Sequence, residues 1–111
     1  MAENRLTTYN KLVRDKIPDI ISKDGKTSEL QIASSDDAFL TFLGQKLVEE
    51  SKEFSESKDP AELADILEVI LAILHLKEIP FSKLEKIRLD KREDRGGFDK
   101  RIILLSTTEL I

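Results

Sequence analysis

The chain has 111 residues, 36% charged and 40% hydrophobic, with a net charge of −4. That length bounds one modest domain, residues 1–111, with a core of its own. The absence of cysteine excludes a disulfide framework, a thiolate nucleophile and a thiolate zinc site.

In chain order, residues 4–10 read as extended or irregular. Residues 13–23 read as a short helix, with Pro18 near its first turn and Asp24-Gly25 ending it. Residues 27–33 (T-S-E-L-Q-I-A) alternate weakly and suit a strand. Asp36 or Ser35 caps a first long helix that runs to about Ser57. Ser57-Lys58-Asp59-Pro60 reads as a tight turn, with Asp59 as N-cap and Pro60 as first-turn proline. A second long helix covers about residues 61–78 and ends before Ile79-Pro80. Ser82 caps a third, to about residue 94, and Gly96-Gly97 breaks the chain. Residues 101–105 (R-I-I-L-L) suit a second short strand, able to pair with residues 27–33.

The fold class expected is therefore mainly α, with a small two-stranded β ribbon. The second long helix is apolar nearly all round, with Ile66, Leu67, Ile70, Ile73 and Leu74 on several sides of it. One thin domain has too few elements to cover it, so a helical bundle shared between subunits, a homo-oligomer, is expected. The single histidine, His75, falls on this helix and reads as a packed or interface residue. The apolar run is too short to span a bilayer, and no leader is legible at the polar N-terminus. No membrane partner and a cytoplasmic setting are expected.

Five acids break the helical pattern. In the first long helix Phe39, Leu40, Leu43, Leu47 and Phe54 form one apolar face, and Glu50 lies inside it. Glu53 lies at its margin, about 60° around the wheel, and Glu49 points toward solvent. Asp65 and Glu68 sit together at the start of the apolar run of the second helix, with Glu62 one turn earlier. A buried, unpaired carboxylate costs several kcal/mol, so Glu50 needs a compensating partner. The short turn makes the helices antiparallel neighbours. Counting outward sets Glu53 level with residues 62–65 and Glu50 level with residues 65–68. Carboxylates that close require cations, which predicts a metal site.

Charge is distributed to match. Residues 47–68 carry a local net of −6, and residues 83–101 a local net of +3. Lys11, Arg14 and Lys16 form another basic knot. An acidic metal centre flanked by basic segments suits a polyphosphate bridged by divalent cations. It does not suit a nucleic-acid groove, because the chain is acidic overall and lacks interleaved aromatic and basic residues.

The string K-L-V-E-E-S-K-E (residues 46–53), followed after a turn by E-L-A-D-I-L-E-V-I (residues 62–70), resembles the all-α nucleoside triphosphate pyrophosphohydrolases. That superfamily includes the MazG-like enzymes and the phosphoribosyl-ATP pyrophosphohydrolases. Its signature is E-E-x-x-E, a gap, then E-x-x-D. The opening Y-N-K-L-V-R-D-K-I-P (residues 9–18) and the late R-G-G-F (residues 95–98) are similar to a subgroup described as phosphoribosyl-ATP pyrophosphohydrolase-like. The matches together extend over most of the chain. The resemblance implies magnesium held by Glu50, Glu53, Glu62 and Asp65, with manganese as a substitute. It also implies cleavage of a nucleoside triphosphate between its α and β phosphates. One departure bears on substrate size: only eight residues separate Glu53 from Glu62, whereas members acting on bulky dimeric nucleotides have longer insertions.

The residues suit that chemistry. Magnesium takes oxygen ligands and keeps several waters, so carboxylates three apart on two helices fit it. Glu49 or Glu68 is placed to accept a proton from an attacking water. Lys46, one turn before Glu50, can pair with the acids or touch a phosphate. Lys11, Arg14, Lys91 and Arg95 are further candidate phosphate contacts. The plain alternatives are surface salt bridges for Lys11 and Arg14, and a solvated face for Glu49 and Glu56. At the level of the whole chain they are phosphoribosyl-ATP hydrolysis, a non-catalytic helical dimerisation module, or a nucleotide sensor without turnover.

Overall fold

The computed structural model describes residues 5–111; Asn4, where the irregular opening stretch was expected to begin, lies outside them. The described residues hold four helices, α1 Ile17–Lys23, α2 Asp36–Ser57, α3 Pro60–Leu76 and α4 Phe81–Arg95. They fall into two compact units, Met1–Glu78 and Ile79–Ile111. No helix among them is long and apolar enough to cross a membrane.

In the first unit, proline decides where α1 begins. A helix starting at Val13 would bury Pro18 in its interior, without an N–H and against the carbonyl of Arg14. The helix instead starts at Ile17, with Pro18 in its first turn, and a turn bond from Ile17 N–H to the Arg14 carbonyl leads into it at 3.0 Å. It ends as expected at Asp24, before Gly25 at φ 79°.

Local chemistry also sets the ends of α2 and α3. Ser35 is extended, and its hydroxyl accepts from the Ala38 N–H at 3.1 Å, while Asp36 and Asp37 meet the positive end of the helix dipole. Lys58 ends α2 in the left-handed region, at φ 60°, donating its N–H to Phe54 O at 2.8 Å. Asp59 then caps α3 directly, its Oδ1 accepting from Ala61 N–H at 2.9 Å, with Pro60 in the first turn. Two residues thus separate two helices that pack on each other, an αα-hairpin. Its core is Leu43 from α2 with Val69 and Leu74 from α3. Leu63, Leu67 and Leu71, spaced four apart on α3, stay between 39% and 48% exposed.

In the second unit, α4 starts at Phe81 after an extended Pro80, so the cap expected at Ser82 is not made. Pro80 has already turned the chain, and Ser82 lies within the first helical turn. Gly96 ends α4 at φ 84°. Arg92 Nη2 reaches Asp99 Oδ2 at 3.1 Å, folding the next residues toward the last turn. A Cβ on Gly97 would fall 2.1 Å from Arg92 Nη1, so a side chain there would make the arginine tip shift.

The β ribbon is not formed: residues 27–33 and 101–105 are irregular, and no strand occurs among the described residues. Residues 27–32 and 101–105 are all exposed. A lone two-stranded ribbon with no covered apolar face is marginal in water, and weak alternation over 27–33 supplies no such face.

Candidate metal centre

The hairpin brings acids from both helices together. One carboxylate oxygen each from Glu50, Glu62 and Asp65 lies within 4.8 Å of the other two. Oxygens around one octahedral magnesium are about 3 Å apart when adjacent and about 4.2 Å when opposite, from its usual ligand distance. The triad therefore draws closer to grip one ion. Glu53 is exposed and lies against both Glu50 and Glu62.

Glu50 is the anomalous member. It is 6% exposed, the only buried charged residue among those described, and sits on the face of α2 that carries Leu43. Its Oε1 is 3.3 Å from Lys46 Nζ; its Oε2 is buried with no hydrogen-bond partner. Leaving such an oxygen unsatisfied costs about 1–3 kcal/mol or more. Burial first, then the neighbouring Glu53, pushes the Glu50 carboxyl above its ordinary value, with Lys46 opposing. Glu62 is also raised, by desolvation and then by Asp65 and Glu50, against a hydrogen bond with Glu53. Both shifts describe carboxylates short of positive charge.

Three basic side chains surround the acids. Lys46 Nζ lies 2.7 Å from Glu49 Oε2 as well as near Glu50. Burial draws the Lys46 ammonium down, but Glu49 and Glu50 outweigh it and hold it above the ordinary value. Lys11 Nζ donates to Glu49 Oε1 at 2.8 Å, and Arg14 Nη2 to Asp65 Oδ1 at 2.6 Å. Glu49 is thereby held below its ordinary value, by Lys11 first and then Lys46. A carboxylate tied to two ammonium groups is a weak proton acceptor. With all groups charged, five carboxylates (Glu49, Glu50, Glu53, Glu62, Asp65) face three cations (Lys11, Arg14, Lys46). The two negative charges left over match one divalent cation.

Comparison with protein-family models, with curated proteins and with solved structures finds no match. The site therefore rests on its own residues.

Several expected placements change. Glu49 does not point to solvent; it is half-buried and paired, because Lys11 arrives from 38 residues earlier, which a wheel of α2 alone does not contain. Glu68 is exposed and outside the converging triad. Glu50 meets Asp65, within the expected span of residues 65–68, but its other partner is Glu62, one turn nearer the loop, and not Glu68. The outward count assumed a symmetric turn, whereas the chain leaves α2 through left-handed Lys58 and enters α3 at once. Lys91 and Arg95 belong to the second unit and are exposed; Arg95 Nε lies 3.9 Å from Asp94 Oδ2. The ion pairs of Lys11 and Arg14 join residues 38 and 51 apart; only their clustering near the chain start hinted at them.

Proposed function

We propose that this chain is a magnesium-dependent nucleoside triphosphate pyrophosphohydrolase, releasing pyrophosphate and a nucleoside monophosphate. The observation that carries the reading is the buried, unpartnered oxygen of Glu50 in a convergent carboxylate triad. An acidic cluster alone is common on surfaces; an orphaned buried carboxylate oxygen within it requires a cation or a proton. The donor set fits magnesium, all oxygen and anionic, and tolerates manganese.

Glu50, Glu62 and Asp65, with Glu53 alongside, would hold the ion. When bound, magnesium neutralises phosphate charge and orients an attacking water. The chain's own residues do the rest. Lys46 holds Glu49 and Glu50 in position from a largely buried site. Lys11 and Arg14 bring positive charge to the rim, where a polyphosphate would enter. Of the two proposed proton acceptors, Glu49 is ionised but restrained by its lysines, whereas exposed Glu68 is free of them.

The E-E-x-x-E and E-x-x-D strings support the same assignment by resemblance. The exposed Leu63-Leu67-Leu71 stripe supports a homo-oligomer that covers α3. A cytoplasmic setting accords with a small-nucleotide hydrolase.

A second reading has its own support. The pairs Arg14–Asp65, Lys46–Glu50 and Lys11–Glu49 neutralise part of the cluster within one chain without metal; the remaining acids pairing with lysines across an interface would make a non-catalytic dimerisation module. The test is a panel of nucleoside triphosphates and phosphoribosyl-ATP, assayed with magnesium for pyrophosphate release. Turnover that is lost in Asp65→Asn supports the enzyme. No turnover of any member contradicts it, and magnesium binding without turnover points to a sensor.

A further inference from the structure

Asp65 carries a contradiction. It belongs to the triad that would hold the cation, yet Arg14 Nη2 already lies 2.6 Å from its Oδ1. A guanidinium and a divalent cation on the same carboxylate repel, so each weakens the hold of the other. The other two basic residues are placed differently. Lys11 pairs with Glu49, outside the triad. Lys46 pairs with Glu49 and Glu50 from a side chain only 16% exposed, so it is held in place. Arg14 alone combines a triad carboxylate with a side chain 56% exposed.

Its surroundings permit movement. Arg14 lies outside any helix, just ahead of α1. Leu12 and Val13 beside it are half-buried and anchor the segment. The backbone can thus stay in place while the long side chain swings. A guanidinium released at the rim of a cation site is poised for a planar, two-point contact with phosphate oxygens.

We propose that Arg14 and the divalent cation are alternative partners of Asp65, and that cation uptake hands the Arg14 guanidinium to a phosphate group of the substrate. The proposal rests on the metal-site reading above. Arg14 then has two successive tasks: it neutralises Asp65 in the empty site, and it contacts phosphate in the loaded one. Loading the cation prepares the phosphate contact, so the two ligands bind with positive coupling through one side chain.

The test is calorimetric titration of the full chain with magnesium or manganese chloride, in the parent, Arg14→Gln and Lys11→Gln. Removing the competitor should tighten cation binding about two- to fivefold, the range that an exposed ion pair supplies. Lys11→Gln, which removes the same charge from a carboxylate outside the triad, should shift it less. With magnesium present, inorganic pyrophosphate should bind Arg14→Gln more weakly than the parent. If Arg14→Gln fails to fold, Arg14→Lys replaces it and should show the same shifts at smaller size. Equal or weaker cation affinity in the Arg14 variant overturns the exchange. So does a shift no larger than that of Lys11→Gln, or unchanged pyrophosphate affinity. A parent that takes up no divalent cation overturns the metal-site reading, and the exchange with it.

Discussion

Replacing Glu50 by Gln isolates the feature on which the account depends. The side chain keeps its shape and loses one charge, and Lys46 keeps Glu49 as a partner. In the parent the carboxylate is 6% exposed with Oε2 unsatisfied, a penalty of about 1–3 kcal/mol. Against it stands the lost attraction to Lys46, 3.3 Å away in a largely buried pair; Lys46 keeps Glu49 at 2.7 Å, which limits the loss to about 1 kcal/mol, that of one hydrogen bond. The metal-free variant should therefore be more stable than the parent by roughly 1 kcal/mol, a rise in Tm of about 4 °C for a domain of this size. Magnesium at a hundred times its Kd should stabilise the parent by about 2.7 kcal/mol, because only the folded chain assembles the site. The variant should gain much less. Thermal unfolding followed by circular dichroism, with and without magnesium, reads both effects. A variant less stable than the metal-free parent, or one equally stabilised by magnesium, refutes the reasoning.

The same group predicts a pH dependence. Glu50 is raised above 4.5, so the folded chain holds that proton more tightly than the unfolded chain, and its ionisation costs stability as pH rises from about 4.5 through the folded value. Glu50→Gln lacks this cost, so its advantage in urea unfolding should open across that window; a pH-independent gap contradicts it. Leu43, at 2% exposure the most buried side chain of the hairpin, should cost about 2–5 kcal/mol as Leu43→Ala, read by urea unfolding, and a loss under 1 kcal/mol contradicts the packing. Leu67, at 47% exposure, should as Leu67→Glu convert a multiple of the 12.6 kDa chain to single chains in sedimentation; a parent already of single-chain mass contradicts the oligomer.

Much of the fold was legible because its signals are local. Ser35, Asp59 and Pro60 cap helices through bonds spanning a few residues, and those bonds are present. Gly25 and Gly96 stop helices for a reason carried by the glycine itself. The start of α1 was misplaced because apolar spacing outweighed Pro18, whose ring forbids the longer helix. The ribbon failed for the opposite reason: strand pairing depends on distant partners and a covered face, which alternation over seven residues does not supply.

The acids of the site were legible as a defect, a glutamate among leucines, and Glu50 is buried as that defect requires. Of their basic partners, Lys46 was legible one turn before Glu50 and does pair with it; the two distant ones were not. Arg14 reaches Asp65 and Lys11 reaches Glu49 across the first unit, and no periodicity within one helix encodes such a contact. Glu68 shows the limit of counting from a turn: one step of register separates a residue in the cluster from one in solvent.

The central claim is the bond that breaks. Phosphorus NMR of a nucleoside triphosphate incubated with the full chain and magnesium identifies the products directly. The account predicts pyrophosphate and nucleoside monophosphate in equal amounts, absent without magnesium and absent with Asp65→Asn. Orthophosphate with nucleoside diphosphate, or no magnesium-dependent product from any triphosphate, would contradict it.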